Sequence, residues 1–199
     1  MADPIQPAKQ ALRQQIRQQL AVMSETTKTE ASRAARSRLA QQPIWKQARY
    51  ILFFAPTGNE LDVWPLLESA LSEGKSVALP QFVAATKSYT ACEIKDPSTD
   101  LKLGQFEIRE PADTCVPLAI YRLDLILVPG VAFDLHGRRL GRGKGFYDQL
   151  LAVAGGKSCG VAFDEQIVTN IPVEPHDIYV NCILTPTRWK VCDATSARL

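Results

Sequence analysis

Leu12, Ile16 and Leu20 recur every four residues with polar residues between them, a spacing that predicts an amphipathic helix over residues 8–23. Lys9, Arg13 and Arg17 keep the same period, rotated by one residue, and form a basic stripe beside the apolar one. A second helix is expected through "SRAARSRLAQQ" to Pro43, opened by a capping box of Thr27 and Glu30. The pattern then changes. "RYILFFA" (49–55) and "LDLILVPG" (123–130) are nearly unbroken apolar runs, as expected of strands covered on both faces. "SVALP" (76–80), "SCGVAF" (158–163) and "YVNCILTP" (179–186) read as further strands, and "SYTACEI" (88–94) as a strand with one wetter face. Asp62 opens a helix over "VWPLLESALSEG" that Gly74 closes. "FYDQLLAVAGG" (146–156) reads as a short helix stopped by a glycine pair, and residues 95–121 as mostly loop.

Strand, helix and strand alternate with short connections. The expected fold class is α/β: a three-layer sandwich with a mostly parallel central sheet flanked by helices. No segment is rich enough in Pro, Gly or Ser to mark a boundary, so residues 1–199 are read as a single domain. "GVAFD" occurs at 130–134 and again at 160–164. Each copy places a carboxylate, Asp134 or Asp164, just past a strand, where open α/β sheets bind ligands. Both aspartates could equally close turns.

Composition narrows the function. Apolar residues make up 46% and charged residues 22%, and the net charge is +2, so any basicity that matters is local. The five cysteines, at 92, 115, 159, 182 and 192, form no CxxC pair and read as small buried apolar residues in a reducing compartment. With His136 and His176 as the only histidines, a multi-histidine metal centre is excluded. The apolar runs are too short to span a bilayer, and the first twenty residues lack the apolar stretch of a secretory signal. A cytoplasmic protein with no membrane partner is expected.

The chemistry concentrates in "RLGRGKGFYD" (139–148), between the most apolar strand and a helix. Gly141, Gly143 and Gly145 let main-chain N–H groups approach a ligand and form an anion-binding nest, to which the following helix adds its N-terminus. Arg139, Arg142 and Lys144 supply positive charge. Asp148 could hold Mg²⁺ against phosphates, or be a first-turn carboxylate stabilised by the helix dipole. The segment is neither a P-loop nor a dinucleotide fingerprint, because Lys144 is followed by glycine and the third glycine spacing is wrong. Phosphate binding and a flexible basic turn both remain open on composition alone.

"PGVAFDLHGRRLGRGKGFYDQLL" resembles the signature of the 5-formyltetrahydrofolate cyclo-ligase (5,10-methenyltetrahydrofolate synthetase) family. "KQALR" (9–13), "NELD" (59–62), "FEIREP" (106–111), "GVAFDEQ" (160–166) and "PVEPHDIYVNCILTP" (172–186) extend the resemblance over nearly the whole chain. It implies a fold similar to the ribose-phosphate isomerase and CoA-transferase group, and an ATP-dependent ring closure that needs Mg²⁺. It further implies that Lys9, Arg13 and the turn Arg139, Leu140, Gly141, Arg142, Gly143, Lys144, Gly145, Phe146 and Tyr147 hold ATP. Arg142 and Lys144 would act on the γ-phosphate, and Asp148 and Asp177 would bind the metal. Glu60 would hydrogen-bond the pterin, beside Phe54, Ala55, Phe82, Phe106 and Phe146. Phe146 stands where the family commonly has tyrosine, Asn181 where it often has aspartate, and Pro186 where glutamate is common. The expected partners are 5-formyltetrahydrofolate and ATP, without nucleic acid, on a monomer. Two competing readings are a sugar-phosphate isomerase or CoA-transferase-like enzyme, and an RNA-binding protein gripping through Arg138, Arg139, Arg142 and Lys144.

Overall fold

Side chains alternate across a strand, so an apolar run five residues long must bury both of its faces. Residues 125–129 do this. Leu125 and Leu127 pack into one core cluster, and Ile126 and Val128 into a second on the opposite face. The computed structural model describes residues 5–83, 85–86, 88–104 and 108–192. Its helices are α1 (Ile5–Ala21), α2 (Glu25–Ala40), α3 (Pro43–Gln47), α4 (Trp64–Ser72) and α5 (Phe146–Val153). Its strands begin with β1 (Tyr50–Leu52), β2 (Ser76–Val83), β3 (Ser88–Ile94), β4 (Leu101–Leu103), β5 (Arg109–Pro111) and β6 (Pro117–Leu118). They continue with β7 (Leu125–Pro129), β8 (Ala132–Asp134), β9 (Arg139–Leu140), β10 (Lys157–Val161), β11 (Ile167–Val168), β12 (Cys182–Leu184) and β13 (Trp189–Val191).

The main sheet runs β13-β12-β10-β7-β1-β2-β3-β6. Its five central strands, β12, β10, β7, β1 and β2, are parallel, and antiparallel strands finish both edges. The mostly parallel α/β sandwich expected from the sequence is therefore present. Helices α1 to α4 cover one face through Ile16, Leu20, Leu39, Trp45 and Leu67. On the other face lie Leu150 of α5, Phe133 and Val180. From β1 the chain moves outward to β2, then returns to β7 on the other side and continues to β10 and β12. The strand order thus reverses between β1 and β7, which opens a crevice beyond their C-terminal ends.

Local differences from the sequence reading have simple causes. Ser24 caps α2, with extended φ and ψ and its hydroxyl accepting from the Thr27 amide, so Thr27 lies inside the helix and the Thr27–Glu30 capping box does not form. Asp62 does accept from the Trp64 amide at the start of α4. Gly74 takes φ +75°, and the amides of Gly74 and Lys75 reach back to Leu71 and Ala70, the expected glycine stop. The span 95–121, read as mostly loop, contains three short strands, two of them a hairpin.

The two "GVAFD" copies are neighbours in space. Phe133 lies against both Gly130 and Gly160, where a methyl group would come within 2.7 Å and 2.5 Å of its ring. Their aspartates close turns. Asp134 accepts from the amides of His136, Arg138 and Ile171, and Asp164 accepts from the hydroxyls of Thr185 and Thr187. Four of the cysteines are buried and Cys115 is half-buried. Among the described residues no helix is long and apolar enough to cross a membrane.

Candidate active site

The crevice between β1 and β7 is a cleft of about 520 Å³. Every predicted site residue among those described lines it, while Phe106 lies outside the described residues. Phe54 and Ala55 follow β1. Arg139 and Leu140 belong to β9, which pairs with β8 and so carries the chain back to the mouth of the crevice. The turn 141–145 then delivers α5, with Gly145 in the N-cap position at φ +66° and Gly143 at φ +97°, backbone that only glycine adopts easily. Main-chain N–H groups of residues 142–148 donate to no other group among the described residues. Lys144 is exposed on this turn, without a hydrogen bond or ion pair to any of them.

Three other cations of the cleft, Lys9, Arg139 and Arg142, are paired with its carboxylates, while Arg13 bonds a main-chain carbonyl and Arg109 lies over the Trp64 ring. Lys9 is buried, 4% exposed, and its ammonium donates to Asp177 at 2.6 Å and Glu174 at 2.8 Å. The basic stripe of α1 thus turns inward at its N-terminal end, whereas Arg17 stays exposed. Arg13 Nε donates to the Gly141 carbonyl at 2.9 Å, fixing the start of the turn. Arg139 is buried, lies over the Tyr147 ring and donates to Asp148 at 2.8 Å. Arg142 donates to Glu60 at 2.7 Å. On the apolar wall, Phe82, Tyr89 and Phe146 meet edge to face with centroids 4.9–5.5 Å apart. Burial, helped by the Glu110 charge, pushes the Tyr89 phenol up from its ordinary value. Tyr147 is pushed well above its ordinary value by the same cause, with Glu60 adding to it.

Sequence reading missed Thr57, Tyr89 and Glu174 at this site. They reach it from a loop after β1, from β3 and from the segment before β12, so no local pattern groups them. Asn181 and Pro186, the two C-terminal departures from the family pattern, do not line the cleft. Asn181 Oδ1 accepts from the Ser158 amide and hydroxyl, tying β10 to the segment before β12, and the Pro186 carbonyl accepts from Arg38.

The Lys9 cluster has a pH signature. The Glu174 carboxyl lies below the ordinary range because Lys9, then Gln6, donate to it. Burial pulls the Lys9 ammonium down, but the hydrogen bonds to Asp177 and Glu174 outweigh it, and the net shift is upward. A depressed carboxyl stabilises the fold above its unfolded pKa of about 4.3 and loses that contribution as pH falls through its folded value. A raised lysine contributes below about 10.4 and loses it as pH rises through its folded value. Urea unfolding of Lys9→Met from about pH 5 to about pH 3 is therefore expected to show a shallower fall in stability than the wild type. Parallel curves would remove this cluster from the acid limb.

Fold and cleft together define the class: an α/β protein with a charged cleft at the switch point of a parallel sheet, the place where such sheets hold their ligands. The chain belongs to the 5-formyltetrahydrofolate cyclo-ligase family, whose model matches residues 5–186. The 5-formyltetrahydrofolate cyclo-ligase of Escherichia coli K12 is 32% identical over 180 residues, covering 88% of this chain and 99% of that protein. The enzyme of the same name from Mycolicibacterium smegmatis is 36% identical over 149 residues, covering 70% and 75%. The solved structure of Aquifex aeolicus 5,10-methenyltetrahydrofolate synthetase superposes with a TM-score of 0.83 at 30% identity, over 96% of this chain and 93% of that one. Family membership favours the folate reading over the isomerase or CoA-transferase and RNA-binding readings.

Proposed function

We propose that the chain converts 5-formyltetrahydrofolate to 5,10-methenyltetrahydrofolate, with ATP and Mg²⁺ consumed and bound respectively, and ADP and phosphate released. The observation that carries the ATP requirement is the turn itself. Seven consecutive amides, residues 142–148, have no other acceptor among the described residues, and the unpaired Lys144 stands beside them in a family whose members act on this folate. Such a turn suits an anion with several oxygens better than a neutral ligand.

The chemistry explains why a phosphate donor is needed. A formamide oxygen is a poor leaving group as oxide. In the proposed sequence this oxygen attacks the γ-phosphorus, and the bond from that phosphorus to the ADP oxygen breaks. The neighbouring arylamine nitrogen then attacks the activated carbon and loses its proton. The carbon–oxygen bond breaks, phosphate leaves, and the methenyl bridge remains. For such a transfer a protein chiefly positions the reactants and stabilises charge.

Arg142 and Lys144 are assigned to the γ-phosphate, as planar fork and mobile point charge. Lys9 uses two of its three donors on Glu174 and Asp177, so one remains for a phosphate oxygen. Arg13 and the residues from Arg139 to Tyr147 form the rest of the nucleotide side. Phe54, Ala55, Phe82 and Phe146 are assigned to the pterin wall, with Glu60 accepting from its N–H edge.

The donor set fits Mg²⁺, which takes oxygen ligands and retains several waters. Ligand atoms of Glu174, His176 and Asp177 lie within 4.8 Å of one another; Asp148, outside that group and paired with Arg139, lines the same cleft. Asp148 and Asp177 would hold the ion, which, when bound, neutralises charge on the phosphate oxygens. Purified protein mixed with 5-formyltetrahydrofolate, ATP and Mg²⁺ is expected to show a rise in near-ultraviolet absorbance from the methenyl product. A trace that rises equally without ATP, or not at all, would overturn the proposal.

A further inference from the structure

Arg142 and Glu60 come from opposite walls of the cleft and hold each other at 2.7 Å. Thr57 completes the contact. Its amide and hydroxyl both donate to Glu60 Oε2, at 2.9 Å and 3.0 Å, and its Oγ1 accepts from Arg142 at 3.0 Å. One carboxylate oxygen is therefore fully occupied by Thr57, while Oε1 depends on the guanidinium. Exposure and anchoring differ across the pair. The Glu60 side chain is 10% exposed and anchored by Thr57, whereas that of Arg142 is 54% exposed and sits on the glycine-rich turn.

Building on the functional reading above, we infer that Thr57, Glu60 and Arg142 form a clasp that couples the two halves of the cleft, with Thr57 as its positioning residue. A polyphosphate draws Arg142 away from Glu60. A largely buried carboxylate oxygen left without a partner is costly, so it then favours a ligand that donates an N–H to it. The pterin edge of the folate is such a ligand. Each substrate binding alone must break the Arg142–Glu60 contact, and the second finds it already broken. Linkage makes the effect mutual: nucleotide tightens folate by the factor that folate tightens nucleotide.

Calorimetric titration of 5-formyltetrahydrofolate, with and without the β,γ-imido analogue of ATP plus Mg²⁺, tests the clasp. The wild type is expected to bind folate about tenfold more tightly with the analogue present. Arg142→Ala is expected to bind folate without the analogue as tightly as the wild type or more so, because Glu60 Oε1 is already uncovered. Loss of a cation that merely attracted the folate would weaken that binding instead. Thr57→Val should shrink the enhancement and Thr57→Ser restore it, whereas a purely structural threonine would change both affinities and leave their ratio intact. Folate binding with no enhancement in the wild type, or weakened binary binding in Arg142→Ala, overturns the clasp alone. No folate binding by the wild type under either condition overturns the functional reading as well.

Discussion

Lys144→Ala is expected to lower turnover by about 10²- to 10³-fold, the usual effect of removing one preorganised charge from a developing anion. The same variant should unfold within about 0.5 kcal/mol of the wild type, because an exposed side chain without partners contributes little to stability. The two measurements together separate chemistry from folding. Lys144→Arg keeps the charge on a longer, planar group, and partial recovery is expected, since fork and point charge are not equivalent on a phosphate. The loss should appear in kcat as well as in the KM for ATP, as expected of an interaction that strengthens while the phosphoryl group moves. Wild-type kcat in Lys144→Ala would take this residue out of the mechanism.

The second large effect is on stability. Asp134 is fully buried, and its carboxylate satisfies three main-chain amides while lying 3.7 Å from the Arg138 guanidinium. Asp134→Ala leaves those three amides without their acceptor, while Arg138 keeps its hydrogen bond to Asn170 Oδ1. A cost of roughly 3–5 kcal/mol is expected, because each donor left buried without an acceptor costs about 1–3 kcal/mol. In a chain of this size that corresponds to a melting temperature lower by about 10 °C. Asp134→Asn keeps one acceptor oxygen and should fall in between. Asp134 shapes the turn between β8 and β9, and so sets the direction in which the glycine-rich segment leaves the sheet. A melting curve superimposable on the wild type would show that the turn is held by other contacts.

The parts of this fold legible in the sequence were those whose signal is local. Residues 123–130 announced a strand covered on both faces because the five positions from Leu125 to Pro129 are all apolar, and Leu125 to Val128 are indeed wholly buried. The four-residue period of Leu12, Ile16 and Leu20 identified the inward face of α1 for the same reason. What escaped depends on distant partners. β8, β9 and β11 are two or three residues long, and they exist as strands only because the chain brings them together. Capping of α2 was assigned to Thr27 because Glu30 follows it at the right spacing, yet Ser24 also lies three residues before Thr27 and has the extended backbone a cap requires.

The candidate site divides along the same line. Glycines and cations of residues 139–148 are contiguous, so their joint placement could be read directly. The pairing of those cations with carboxylates could not. Glu60, Asp148 and Asp177 were each legible as acids, but the sequence does not show that Arg142, Arg139 and Lys9 already occupy them. That pairing arises from the reversal of strand order between β1 and β7, which brings four separate segments to one crevice. On the function proposed above, an incoming polyphosphate would exchange these three ion pairs rather than meet bare charge, so its affinity is expected to depend on the amides and Lys144 more than on a count of arginines.

On the function proposed above, the turn preceding α5 seats the phosphates of ATP. Titrating ¹⁵N-labelled protein with the β,γ-imido analogue of ATP and Mg²⁺, and following the amide resonances, tests it most directly. The largest shifts are expected on residues 142–148, with Gly143 and Gly145 among them. Saturable binding of the analogue that leaves these amides unmoved would contradict that seating.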